Sequence, residues 1–219
     1  MTAPILIQGG TFDPVHNAHL RTALDVARQL GVAQIRLLPC GDPPHRPPPG
    51  ASAAQRLHML QAAIEGDPRF VIDSRELQRA GPSYMVDTAA ELRAEFGPQT
   101  PICLMMGMDA FLGLESWRHW RQLTGLLHLV VTQRPGWQGA LEHASPVLRQ
   151  WVAQQESDTV AGLLRHPAGR VLFVPVTQLD ISATQVRAML RAGQSPSYLV
   201  PPQVLRVIET ENLYQNETE

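Results

Sequence analysis

The stretch Ile5-Leu6-Ile7-Gln8-Gly9-Gly10-Thr11-Phe12-Asp13-Pro14-Val15-His16-Asn17-Ala18-His19-Leu20 decides how the rest of the chain is read. Its first three residues form a short apolar run suited to a buried strand. From Leu20 to Leu30 apolar residues recur at helical spacing, and Gly31 follows as a natural stop. The unit is a strand, a glycine-led loop and a helix, with His16 and His19 where the loop becomes the helix. Paired glycines let a backbone approach a ligand closely, and the free N–H groups of a helix start attract anions. Imidazoles there can donate hydrogen bonds to phosphate oxygens. The loop carries neither G-x-G-x-x-G nor G-x-x-x-x-G-K-[ST], so it is neither a dinucleotide fingerprint nor a Walker A loop. A strand–glycine–helix turn is also a common structural device of α/β proteins, and histidines at i, i+3 could share a metal. Zinc wants three or four protein ligands, however, and no neighbouring Cys or His-Glu cluster completes such a site.

Outward from this unit, Gln34–Pro39 reads as a second strand, reached through a helix long enough to imply a parallel, right-handed βαβ unit. The proline-rich run from Gly41 to Gly50 is a stiff loop at that strand's carboxyl end, where open α/β sheets place ligands. It is either a rigid linker or a loop that leans His45 and Arg46 over a pocket. Ser52 is an N-cap for a helix through Gln55 to Ile64, and Phe70–Asp73 is a short strand. Gly81-Pro82-Ser83 turns into a helix from Tyr84 that stops at Gly97. Ile102–Met106 and Leu127–Thr132 are continuous apolar runs, as strands buried on both faces should be, and Val171–Val174 is the last strand. Residues 137–169 are expected as a variable surface insertion. Helices near 183–192 and 202–211 close the chain, the second begun by Pro201-Pro202. This alternation predicts one α/β domain over residues 1–219: a Rossmann-like, doubly wound, mostly parallel sheet with helices on both faces and a small C-terminal helical part.

Composition narrows the function. A net charge near −2 leaves no electrostatic footprint for nucleic acid or an anionic membrane. The first residues do not read as a basic-then-apolar signal peptide, and no run approaches 18 uninterrupted apolar residues, so neither a leader nor a membrane span is expected. Cys40 and Cys103 are too few for a disulfide framework, so a cytoplasmic setting is expected. The chain has no lysine, and all 18 basic residues are arginine. That excludes a lysyl-adenylate, a Schiff base with pyridoxal phosphate and a P-loop lysine. Phosphate must be handled by arginine, histidine, hydroxyls and backbone amides.

A second constellation is Asp180-Ile181-Ser182-Ala183-Thr184-Gln185-Val186-Arg187. Ser182 is a sound N-cap, Thr184 falls in the first turn, and Arg187 sits one turn further. Alone this is an ordinary cap with a surface arginine, or a cradle for a triphosphate. Together with the first motif it carries a resemblance. Gly9 to His19 resembles the G-G-[ST]-F-D-P-x-H-x-G-H signature of the H-x-G-H nucleotidyltransferases, with Ala18 in place of a glycine. Ile181 to Arg187 resembles their I-S-x-T-x-[IV]-R signature.

Between the two motifs, Ser83-Tyr84, Gly107-Met108-Asp109, Leu114, Trp117, Trp120 and Gln133-Arg134-Pro135 look like the bacterial nicotinate-mononucleotide adenylyltransferases of that family. The resemblance implies adenylyl transfer from ATP to nicotinate mononucleotide, with Mg²⁺ carried mainly by ATP oxygens. It implies ATP binding by Gly9, Gly10, Thr11, Phe12, His16, His19, Ser182, Thr184 and Arg187, with His16, His19 and Arg187 as the catalytic groups. Nicotinate mononucleotide falls to Asp13, His45, Arg46, Tyr84, Asp109, Trp117 and Arg134, the last being a pocket wall or an oligomer contact. Trp117 and Trp120 lie three apart, hence on one helical face; core packing suits both, and the resemblance gives Trp117 to the nicotinate ring. Rivals are a nicotinamide-mononucleotide or phosphopantetheine adenylyltransferase, a non-catalytic nucleotide-binding module, and a metal-dependent hydrolase. No heptads or dominant exposed apolar stripe mark a homo-oligomer, so the oligomeric state stays open.

Overall fold

The computed structural model describes residues 3–41, 48–133 and 140–215. Six strands build one sheet: β1 (Ile5–Gly10), β2 (Ile35–Pro39), β3 (Phe70–Ile72), β4 (Ile102–Gly107), β5 (His128–Gln133) and β6 (Val171–Pro175). Their order is β3-β2-β1-β4-β5-β6 and every pairing is parallel. The chain winds outward from β1 to β3, then crosses back to lay β4 on the other side of β1. The topological switch therefore falls between β1 and β4, where Ile7 pairs with Leu104 and Gln8 with Met105. In sheets of this kind ligands sit just beyond the carboxyl ends of the strands at that crevice.

Helices cover both faces. They are α1 (Asn17–Leu30), α2 (Ala53–Ala63), α3 (Arg75–Gln78), α4 (Met85–Phe96), α5 (Met108–Leu112), α6 (Trp120–Leu126), α7 (Pro146–Gln155), α8 (Val160–Leu164), α9 (Ala183–Arg191) and α10 (Pro202–Thr210). Successive strand residues point to opposite faces, so each central strand feeds two cores. Leu6, Cys103, Met105 and Val130 pack with Val26 of α1, Met59 of α2, Val186 of α9 and Ile208 of α10. Ile7, Leu104, Met106 and Val131 pack on the other face with Leu92 of α4, Phe111 of α5, Leu123 of α6 and Val152 of α7. Burial on both faces explains why these strands read as unbroken apolar runs.

Local signals set the helix ends. Gly31 closes α1 in the left-handed conformation, φ 68°. Ser52 Oγ accepts from Gln55 N–H at the start of α2, and Ser182 Oγ does the same from Gln185 N–H at the start of α9.

Two expectations need correction. Residues 137–169 were expected as a surface insertion, yet α7 and α8 bury Leu148, Val152 and Leu163 completely or nearly so. Trp151 packs edge-on against Trp120 at 5.9 Å, and Arg93 of α4 donates to Pro167 O at 2.8 Å. The segment is thus built into both cores, α7 through Leu148 and Val152 into the second and α8 through Leu163 into the first. Trp117 and Trp120 do not share a helix: Trp117 ends a short 3₁₀ turn, Leu114–Ser116, and His119 at φ 52° breaks the chain before α6 begins at Trp120.

Candidate active site

Two cavities meet over the carboxyl end of β1. The larger, of about 800 Å³, lies between the loop Gly9–His19 and the start of α9. The smaller, of about 380 Å³, opens between the end of β2, the start of α4 and the Trp117 turn. Thr11 and Asp109 line both, so they mark the junction.

The first wall is the loop after β1. Phe12 takes φ 51° and turns its ring inward, fully buried. A side chain on Gly10 would meet that ring at 3.1 Å, so the fold of the loop needs glycine there. His16 is the N-cap residue of α1, and its backbone N–H donates to His19 Nδ1 at 3.2 Å. Because Nδ1 accepts, neutral His19 carries its proton on Nε2. The two imidazoles stack at 3.6 Å, and the Phe12 ring stands edge-on to His19 at 5.1 Å. Among the described residues His16 Nδ1 is buried without a hydrogen-bond partner. Burial lowers the His16 pKa to about 4 and, with the neighbouring His16 charge, holds that of His19 well below its ordinary value. Both rings are therefore neutral near pH 7 until an anion arrives. A bound phosphate would raise both pKa values and draw protons onto the pair. Ala18, where the signature has glycine, lies in the first turn of α1 and lines the larger cavity.

The opposite wall is α9. Ser182, Thr184, Arg187 and Arg191 line the larger cavity. Ser182 caps the helix, and Arg187 reaches back across the cavity to the Asp13 carbonyl at 2.6 Å. Its second nitrogen lies 3.4 Å from Thr184 Oγ1. The guanidinium thus bridges the two motifs read in the sequence. With the helix start it forms an electropositive rim facing two neutral imidazoles, an arrangement for a polyphosphate chain.

The smaller cavity has a different chemistry. Trp117 and Tyr84 supply aromatic surface, with the Arg118 guanidinium 4.6 Å above the Tyr84 ring. Arg118 is the one cation lining it among the described residues. Gly41 follows Cys40, which lines this cavity, and any side chain at Gly41 would strike the Glu76 carbonyl at 2.7 Å. The buried Glu76 carboxyl takes a hydrogen bond from Thr88 Oγ1 at 2.7 Å, and burial raises its pKa.

The two cavities bring together Gly9, Gly10, Thr11, Phe12, His16, His19, Ser182, Thr184, Arg187, Tyr84, Asp109 and Trp117. Asp109 stands in the first turn of α5, with Gly107 as the cap residue. Asp13 also lines the larger cavity, and Gly50 N, Ala51 N and the Tyr214 hydroxyl donate to its carboxylate. His45, Arg46 and Arg134 lie outside the described residues. Sequence reasoning missed Arg56, whose buried side chain donates to both Thr11 O and Cys40 O at 2.9 Å and ties the ends of β1 and β2 together. It also missed Cys40, Glu76 and Arg118 in the smaller cavity and Tyr214 behind the larger one.

A doubly wound sheet with an anion-binding helix start at its switch point, and two adjoining cavities beyond it, defines a nucleotide-binding α/β protein built to hold two ligands end to end. The cytidylyltransferase-like family model matches residues 7–189. Probable nicotinate-nucleotide adenylyltransferases of Methylococcus capsulatus and Hahella chejuensis are 48% and 46% identical to this chain, over 95% and 97% of its length and 98% and 96% of their own. The fold is shared with the solved Plasmodium falciparum nicotinic acid mononucleotide adenylyltransferase complexed with NaAD, at TM-score 0.70 and 15% identity over 97% of each chain. The chain belongs to the cytidylyltransferase-like family, in its nicotinate-nucleotide adenylyltransferase branch.

Proposed function

We propose that the protein transfers the adenylyl group of ATP to nicotinate mononucleotide, giving nicotinate adenine dinucleotide and pyrophosphate, a step of NAD biosynthesis. The observation that carries this reading is the pair of cavities joined at Thr11 and Asp109: one is rimmed for a triphosphate, the other walled by aromatic rings. The names of the relatives at 44–48% identity agree with it.

A phosphate oxygen of nicotinate mononucleotide attacks the α-phosphorus of ATP in line. The new O–P bond forms as the bond from Pα to the bridging oxygen breaks, and pyrophosphate leaves with that electron pair. The nucleophile is already anionic, so neither a strong base nor a covalent enzyme intermediate is needed. Catalysis is positioning and charge stabilisation. His19 Nε2–H donates to the phosphates, and His16 flanks it on the same helix start. Arg187, with Ser182, Thr184 and the amides of α9, holds the leaving pyrophosphate. Trp117 and Tyr84 hold the pyridine ring by stacking.

No group of three or more His, Cys, Asp or Glu side chains among the described residues could hold a metal ion. Mg²⁺ would be carried mainly by ATP oxygens and water, with Asp109, which lines both cavities, as the protein acid beside it. When bound it supplies charge neutralisation on the triphosphate. The free thiols Cys40 and Cys103 support a cytoplasmic setting. Among the described residues no helix is long and apolar enough to cross a membrane.

The test is pyrophosphate release with ATP and Mg²⁺ and three acceptors in parallel. Turnover with nicotinate mononucleotide above nicotinamide mononucleotide and phosphopantetheine supports the reading. Preference for either of the others overturns the substrate assignment.

A further inference from the structure

Asp13 belongs to the phosphate-facing loop and lines the larger cavity, and its carboxylate gathers four contacts from three distant parts of the chain. Gly50 N donates to Oδ2 at 2.8 Å, and Ala51 N to Oδ1 at 3.0 Å. Arg187 lies 3.5 Å from Oδ2 while it donates to the Asp13 carbonyl at 2.6 Å. The fourth contact comes from the end of the described chain: the Tyr214 hydroxyl donates to Oδ1 at 2.7 Å, across 201 residues.

This tail is docked. Leu213 and Tyr214 are buried, and Asn212 and Tyr214 both take left-handed backbone, φ 50° and 61°. Glu211 meets His58 Nδ1 at 2.6 Å on the outer side of α2. The Tyr214 ring fills the space beside Gly50, where an added side chain would meet it at 3.3 Å and the Arg187 chain at 3.6 Å. The phenol therefore touches Asp13 and the Gly50 corner at once, and the Arg187 stem lies beside that same corner.

We infer that Tyr214 is a positioning residue: its hydroxyl holds the Asp13 carboxylate so that Arg187 stays bound to the Asp13 carbonyl and keeps its guanidinium turned to the triphosphate. The physical reason is competition for one cation. Oδ1 shares its capacity between the Tyr214 hydroxyl and Ala51 N. Without the hydroxyl, a buried carboxylate lacks a charge-assisted partner, which is costly. Arg187, already 3.5 Å from the other oxygen, is the nearest group able to answer, and a shift toward the carboxylate takes it from the phosphate side. The kinetic part of this inference rests on the adenylyl-transfer reading above; the docking of the tail does not.

The experiment compares Tyr214→Phe, which keeps the ring and removes the hydroxyl, with Val207→Ala, which loosens α10 in the same core. For Tyr214→Phe the expected result is an ATP KM raised about tenfold and a lowered kcat, with the KM for nicotinate mononucleotide changed less than about twofold. Val207→Ala should lower Tm and leave the ATP KM in place. Wild-type kinetics in Tyr214→Phe, or the same KM change in Val207→Ala, would overturn the inference. Amide exchange of the unaltered protein gives a second arm that holds even if Tyr214→Phe fails to fold. A non-hydrolysable ATP analogue should slow exchange at Gly50, Ala51 and residues 211–215 together. Protection of the loop with an unchanged tail would refute the coupling. If the wild type releases no pyrophosphate with nicotinate mononucleotide, the acceptor assignment fails, and the exchange arm alone decides the role of Tyr214.

Discussion

Replacing His19 by alanine removes three things that the structure makes visible. The Nε2–H donor of a ring that lines the larger cavity goes, the acceptor for the His16 N–H at 3.2 Å goes, and the 3.6 Å ring stack with His16 goes. The first loss is kinetic. A preorganised donor aimed at charge that builds in the transition state is worth about 2.7–4 kcal/mol, so kcat should fall roughly 10²–10³-fold. The second and third are structural. Losing one bond at a helix start costs about 1 kcal/mol, a Tm shift of roughly 2–4 °C for a chain of this size. The two contributions separate cleanly: pyrophosphate release under saturating substrates reads the first, and thermal melting reads the second. His19→Asn, which can still accept from the His16 N–H, should recover Tm more than it recovers kcat. A His19→Ala protein that keeps kcat within about threefold of wild type would remove this imidazole from the chemistry.

The two indoles on either side of His119 should behave oppositely. Trp117→Ala raises the KM for nicotinate mononucleotide about tenfold and leaves the ATP KM in place, because Trp117 lines the smaller cavity only. Trp120→Ala, at a buried site packed on Trp151, should cost about 3–5 kcal/mol in denaturant unfolding. Arg118→Leu takes away positive charge beside the pyridine position, and the ratio of kcat/KM for acid over amide substrate should fall about tenfold; an unchanged ratio would relieve Arg118 of that role. Acid should destabilise the protein through His128, which is fully buried, accepts from Arg170 N at Nδ1, and has its pKa lowered by burial to about 4. The unfolded imidazole, near 6.5, takes the proton first, so stability is intact above about pH 6.5 and falls as pH drops toward 4. Urea midpoints at pH 7 and 4.5 should differ by about 2–3 kcal/mol in stability from this residue, and His128→Gln should lose less on acidification.

What the sequence could show was whatever local chemistry decides. Strands buried on both faces, such as Ile102–Gly107, appear as apolar runs, and Gly31, Ser52 and Ser182 announce their helix ends directly. The two motifs placed His16, His19, Ser182, Thr184 and Arg187 on one cavity because each marks a helix start at the same edge of the sheet. Non-local placement was not legible. Trp117 and Trp120 look like one helical face, and only the left-handed His119 between them says otherwise. Residues 137–169 lack motifs, and that hid Leu148 and Val152, four apart on α7, which are core residues. Asp13 carries no mark that its carboxylate is spent on the Gly50 corner and on Tyr214, since those partners lie 37 and 201 residues away. Arg56 likewise looks like a surface helix residue until the ends of β1 and β2 close around it.

The most direct test of the central claim follows the phosphorus. The protein is mixed with ATP labelled at the α-phosphorus, Mg²⁺ and nicotinate mononucleotide, and the label is located among dinucleotide, pyrophosphate and protein. Adenylyl transfer by in-line attack predicts that the label leaves ATP only with nicotinate adenine dinucleotide, one label per pyrophosphate released. Label retained on the protein, or label that never reaches the dinucleotide, would contradict the account.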